Sequence, residues 1–199
     1  MEPRRKVVVA TANAGKLREI RDIVSDFPVE CCSLKGLGPV RFPDEGGDYA
    51  INAVAKARAA AEQLGEVAVA DDSGLEVHAL GGAPGAYSAR YGGSDLTDDA
   101  RLDHLLKELK EVPAWRRGAR FVCVAALAMP DGDVLSMRGE CRGRILTEPR
   151  GRSGFGYDPV FQLAGDERSM AELGAQEKNL VSHRARAFRA LFGAWFGVG

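Results

Sequence analysis

A short apolar run, Val67-Ala68-Val69-Ala70, leads straight into two adjacent carboxylates, Asp71 and Asp72, followed by Ser73, Gly74 and Leu75. Four small apolar residues in a row read as a buried strand. A strand that delivers its next residues to a polar turn at one edge of a sheet delivers them where α/β folds meet their ligands. Two carboxylates crowded into such a turn demand a cation or a proton between them. A solvated Asp-Asp turn closed by Ser-Gly is the alternative without chemistry. The residues that accompany this stretch along the chain decide between the two.

Lys6 to Ala10 reads as a first strand and runs into Thr11, Ala12, Asn13, Ala14, Gly15 and Lys16. Leu17, Ile20, Ile23 and Val24 then recur at helical spacing, with Pro28 expected to mark the end of the helix. A polar, glycine-containing loop feeding a helix N-terminus presents unpaired N–H groups to anions, and Lys16 adds charge in the first turn. This suits a triphosphate without being a Walker loop, because GxxxxGK is absent. Thr11 or Asn13 acting only as a cap, and Lys16 as a solvated residue, fit the same pattern. Residues 29–47 predict a strand or two and an exposed connection containing Asp44 and Glu45. Asp48 is placed to cap an alanine-rich helix over 49–64 that ends at Gly65, with Asn52 and Lys56 one turn apart off its packed stripe.

Leu75-Glu76-Val77 predicts a second short strand after the Asp-Asp turn, and Thr97 caps a helix carrying Leu102, Leu105, Leu106 and Leu109. That helix reads as architecture. Residues 119–129 and 134–141 predict a ribbon around Pro130-Asp131-Gly132, which Arg142 to Ile145 can extend. Gly151 to Pro159 is glycine-rich around Phe155 and Tyr157, a composition that suits a flat base laid against backbone and equally a packed surface loop. Ser169 to Glu172 has capping-box spacing. Lys178 to Ala185 is expected to open the last helix with Ser182 as its cap, which sets His183 and Arg184 where the helix dipole disfavours cations. An anion or a polar base edge nearby accounts for them, as does plain exposure.

Composition narrows the classes. The 199 residues, 45% of them hydrophobic, suffice for one enzyme-sized domain spanning 1–199. A formal net charge of −1 offers no global field for nucleic acid or an acidic membrane. Cys31, Cys32, Cys123 and Cys141 form no CxxC motif, so reduced thiols in a cytoplasmic protein are expected. The N-terminal segment from Met1 through Ala10 is too short in apolar residues for a signal sequence or a membrane span.

Five blocks, T-A-N-A-G-K at 11–16, A-D-D-S-G-L at 70–75, G-G-A-P-G-A-Y-S-A-R-Y at 81–91, F-G-Y-D-P-V-F at 155–161 and S-H-R-A at 182–185, together resemble the inosine/xanthosine triphosphate pyrophosphatase family. The resemblance runs from about residue 6 to about 192. It implies an α/β fold, a mixed twisted sheet with flanking helices and two lobes around a central nucleotide-binding cleft, assembled as a homodimer. It implies hydrolysis of non-standard purine nucleoside triphosphates (ITP, dITP, XTP) to the monophosphate and pyrophosphate with Mg2+, cleansing the nucleotide pool. By the same resemblance the 11–16 loop holds phosphates, Asp72 binds magnesium and acts as general base with Lys16 beside it, and Ser73 touches substrate. Phe155, Gly156, Tyr157 and Asp158 would bind base and ribose, with Lys178, His183 and Arg184 closing around the purine. The family's acidic pair before the alanine-rich helix stands here as Pro43-Asp44-Glu45-Gly46, which leaves Asp44 and Glu45 as alternatives for the second metal ligand. Glu45 is favoured for its reach.

Overall fold

The structure, a computed structural model, describes residues 4–197; Met1–Pro3, part of the N-terminal segment considered above, and Val198–Gly199 lie outside it. Chain order is β1 (Arg5–Val9), α1 (Ala14–Ile23), β2 (Val29–Ser33), α2 (Tyr49–Leu64), β3 (Ala68–Val77), β4 (Pro84–Gly85) and α3 (Asp98–Glu108). It continues through β5 (Gly118–Ala128), β6 (Val134–Ile145), β7 (Phe161–Leu163), α4 (Ala175–Val181) and α5 (His183–Phe196). The fold is mixed α/β as expected: a seven-stranded sheet of order β2-β1-β3-β5-β6-β7, with β4 added against β3. Among the described residues no helix is long and apolar enough to cross a membrane.

The chain divides into two compact units, the first holding residues through Asp72, Cys123–Gly139 and the chain from His183 on, the second holding Ser73–Val122 and Glu140–Ser182. In the first unit β1 pairs in parallel with β2 and with β3, setting Val8 opposite Ala68 and Val9 opposite Val69. Val7, Val9, Val69, Ala125 and Leu127 form one core with Ile20 and Ile23 of α1 and Ala187, Phe188, Leu191 and Phe192 of α5. Strand alternation sends Val8, Ala68 and Ala70 to the other face, and these are fully buried too, as are the α2 alanines Ala53, Ala57, Ala60 and Ala61. The close approach of α5 to β6 depends on Gly139, where a Cβ would sit 2.3 Å from the His183 carbonyl oxygen. In the second unit Leu75, Val77, Leu102, Leu105, Phe121, Ile145, Tyr157, Phe161 and Met170 build a separate core.

Three expectations are corrected here. Asp71-Asp72-Ser73-Gly74 is not a turn between two strands but the middle of the ten-residue strand β3. The physical reason is that successive strand residues point to opposite faces, so the two carboxylates are not crowded together and each finds its own partners. The first helix stops at Ile23 rather than running toward Pro28, and the Ser25 hydroxyl donates to the Asp22 carbonyl at 2.8 Å where it ends. Lys178 to Val181 does not open the last helix: it lies in α4, and α5 begins at His183 after Ser182, whose ψ of 157° is extended and breaks the helical path. By contrast α2 runs over the expected residues, with the Asp48 carboxylate accepting from the Ala50 and Ile51 N–H groups and Gly65 closing it. Strand β6 continues through Arg142 to Ile145.

Candidate active site

The loop after β1 folds as its residues dictate. The Asn13 side-chain carbonyl accepts the Lys16 N–H at 3.0 Å and caps α1, and the Thr11 hydroxyl accepts the Asn13 N–H at 3.2 Å. Capping therefore occupies both side chains. Ala12, Asn13 and Ala14 are exposed, and Thr11, Gly15 and Lys16 half-buried, so the helix start remains open to a ligand. From the first turn of α1, Lys16 reaches Asp71 with its Nζ 3.0 Å from Oδ2.

Asp71 and Asp72 then face different company. Asp71 is buried, and besides Lys16 it meets Arg184, whose Nη2 and Nε lie 3.3 and 3.4 Å from Oδ2. The Arg184 Nη1 is in turn 2.5 Å from Glu19 Oε2. Burial alone would lower the Arg184 pKa, but the Asp71 and Glu19 carboxylates outweigh it and hold the pKa above the usual arginine value. A cation in the first turn of α5 is thus compensated by two carboxylates of its own unit. His183, buried beside it, opens the same helix.

On the opposite face Asp72 accepts a hydrogen bond from the Asn52 Nδ2 at 2.8 Å, and its Oδ1 lies 3.6 Å from the Lys56 ammonium. That ammonium also donates to Glu45 at 2.7 Å. Burial raises the Asp72 pKa above the ordinary 3.8, against the opposing pull of Lys56, Asn52 and Lys16. Glu45 is half-buried while Asp44 is exposed, so Glu45 is the acidic residue of the loop that turns toward Asp72.

Their partners separate the two faces. Around Asp71 two carboxylates, with Glu19, meet two cations, Lys16 and Arg184. On the Asp72 face the Lys56 ammonium bridges two carboxylates, Asp72 and Glu45. Both carboxylates of this second set present hard oxygen donors. Among the described residues no group of three or more His, Cys, Asp or Glu side chains gathers as a metal cage. Two carboxylates, with water and phosphate oxygens completing the sphere, is the donor set magnesium takes, so these residues fit the ion.

In the second unit the 155–158 loop is held from three sides. The Asp158 carboxylate accepts the Phe155 N–H at 2.9 Å and the Lys178 ammonium at 2.5 Å, and Lys178 Nζ lies 5.1 Å from the centre of the Phe155 ring. Gly154 takes φ +78°, and a Cβ there would fall 2.1 Å from Asp158 Oδ2, so this corner admits only glycine. The Gly156 N–H donates to Asp98 Oδ2 at 3.0 Å, and the buried Tyr157 hydroxyl donates to the Ser88 carbonyl at 2.9 Å. Tyr157 belongs to the core and burial raises its pKa, whereas Phe155 keeps an accessible face. Ser73, half-buried, continues β3 into this unit.

The Ham1 family model matches residues 7–194. The chain belongs to the Ham1 family. This Ham1 chain is 50% identical over 184 residues to a dITP/XTP pyrophosphatase of Desulfotalea psychrophila, covering 91% of this chain and 81% of the relative. It is 45% identical over 194 residues to a dITP/XTP pyrophosphatase of Bacillus cereus, covering 96% and 95%. Among solved structures, a HAM1 protein from Coxiella burnetii superposes with a TM-score of 0.86 at 38% identity, over 97% of this chain and 99% of that one.

In this Ham1 member the structure brings Lys16 and Arg184 together at Asp71 and Glu45 together with Asp72 at Lys56, both within the first unit, and Phe155, Asp158 and Lys178 into one cluster within the second. Sequence reasoning left out Glu19, Ser88 and Asp98. The helix capped by Thr97 was read as architecture alone, yet the Asp98 carboxylate in its first turn also grips a loop 58 residues away. Ser88 lay inside the 81–91 block without a role being read for it, and Glu19 had no local signal at all.

Proposed function

We propose that this Ham1 family member hydrolyses ITP, dITP and XTP between the α and β phosphorus atoms, releasing the nucleoside monophosphate and pyrophosphate, with magnesium as cofactor. The observation that carries the reading is the buried Asp72 carboxylate sharing one ammonium with Glu45. Polyphosphate oxygens are met by the N–H groups at the start of α1 and by Lys16, with Thr11 to Gly15 forming the backbone cradle. Magnesium, held by Asp72 and Glu45, would supply Lewis-acid neutralisation of the polyphosphate charge. Asp72 takes the proton of the attacking water. The electron pair of the cleaved bond leaves on pyrophosphate.

Ser73 touches substrate, and Phe155, with Gly156 and the Asp158–Lys178 pair, offers the purine an aromatic face and a cation. Within this cluster Lys178 is the donor that suits a 6-oxo purine. The 6-amino group of adenine would face a donor unpaired, at about 1–3 kcal/mol. The same reading carries a homodimeric, cytoplasmic enzyme acting on free nucleotides. Phosphorus NMR of an ITP reaction tests it: the expected products are IMP and pyrophosphate in equal amounts, and stepwise orthophosphate release would refute the cleavage site.

A further inference from the structure

Asn52 is expensive where it stands. It sits in the interior of α2, where asparagine is a poorer helix former than the alanines around it, and it is buried at 3% exposure, where an amide lacking partners would be costly. Its amide is fully used. Oδ1 accepts the Gly46 N–H at 2.8 Å, and Nδ2 donates both to the Gly46 carbonyl at 2.9 Å and to Asp72 Oδ2 at 2.8 Å. One side chain thus grips both polar groups of the residue after Glu45 and, with its remaining donor, the carboxylate of Asp72.

A second amide on the same helix repeats the grip. Gln63 Nε2 donates to the Arg41 carbonyl at 2.9 Å, and its Oε1 accepts the Arg41 N–H at 2.9 Å. Eleven positions is close to three full helical turns, so both amides lie on one face of α2 with about 16 Å of rise between them. The five residue steps from Arg41 to Gly46 span about 16 Å when extended. The segment bearing Asp44 and Glu45, which has no helix or strand of its own, is therefore drawn out along α2 and stapled at both ends.

We propose that Asn52 is a positioning residue: it fixes the Glu45 segment and the Asp72 carboxylate at one separation, so that the two carboxylates form a prepared site for a divalent cation. Gln63 anchors only the far end of the segment. The inference rests on the metal reading given under Proposed function. Residues that orient metal ligands typically contribute about 10–100-fold in metal affinity.

The test uses the full chain with Mn2+ as the probe, titrated by electron paramagnetic resonance without substrate, beside hydrogen exchange of residues 41–48. Asn52→Ala should bind Mn2+ at least tenfold more weakly than the parent, exchange rapidly at Gly46, and need more magnesium for half-maximal pyrophosphate release, with kcat recovering at saturating magnesium. Gln63→Ala should speed exchange near Arg41 and leave Mn2+ affinity within about twofold. Asn52→Leu, which preserves volume, takes the place of Asn52→Ala if the latter does not fold. A folded Asn52 variant that binds Mn2+ like the parent, or one whose Mn2+ affinity falls no more than that of Gln63→Ala, would overturn the role of Asn52 and leave the metal reading standing. A parent that neither binds Mn2+ nor requires magnesium would overturn the metal reading and the proposal with it.

Discussion

The two faces of β3 carry the same residue type at adjacent positions and do different things with it. On one face Asp71 is gripped by Lys16 and by the buried Arg184, which Glu19 holds from its other side. On the other, Asp72 and Glu45 share one lysine, and burial wins over that lysine in setting the Asp72 pKa. A buried carboxylate gripped by an arginine fixes geometry; one whose pKa burial raises is suited to hold a cation or act as a base. The lesson is that the Asp-Asp pair matters through its separation by strand alternation rather than through crowding.

Breaking the comparison from the reactive side should give the largest effect. Asp72→Asn is expected to lower kcat for ITP by about 10²–10⁴-fold, the usual contribution of a positioned proton acceptor, measured as pyrophosphate release at saturating magnesium. From the balanced side, Asp71→Ala leaves the Arg184 guanidinium buried with half its compensation. It should cost about 3–5 kcal/mol of stability, read from urea unfolding midpoints at constant slope. A cost under about 1 kcal/mol would show that Asp71 is not the structural member of the pair. The smallest effect belongs to the second unit, where Asp98→Ala removes one acceptor from the Gly156 N–H. About 1 kcal/mol is expected, appearing as a several-fold rise in KM for ITP with kcat little changed. An equal fall in kcat would mean that the loop acts in the chemical step as well as in binding.

How much of this was legible in the sequence depended on how far apart the cooperating residues lie. The bounds of α2 were readable because Asp48 and Gly65 act on their immediate neighbours, and the Thr97 cap of α3 was readable for the same reason. At Ser169–Glu172 only half of the capping box forms: the Glu172 carboxylate accepts the Ser169 N–H at 2.7 Å, while the Ser169 hydroxyl donates to the Arg150 carbonyl instead. The continuity of β3 through Asp71 and Asp72 was not readable. It depends on Arg184, 113 positions along the chain from Asp71, and on Asn52, 20 positions from Asp72, and no local propensity reports such partners. The break at Ser182 was likewise hidden, because Lys178 and His183 both sit in helical sequence and only the backbone at Ser182 divides them. Asn52 and Lys56 were visible as a pair on one helix face, but not the loop they hold.

Whether the Asp72 charge is kept for chemistry at a cost to folding is tested most directly by melting metal-free Asp72→Asn against the parent across pH. Burial places the folded-state pKa of Asp72 above 3.8, so the parent loses stability from this group as pH rises through that pKa, and regains it below the unfolded value, where the carboxyl is protonated in both states. Asp72→Asn carries no such charge. It should therefore melt at or above the parent temperature at pH 7, with the difference shrinking toward zero as pH falls to about 4 and below. A variant melting several degrees below the parent at pH 7, or a difference that ignores pH, would contradict the claim and make Asp72 a second structural carboxylate like Asp71.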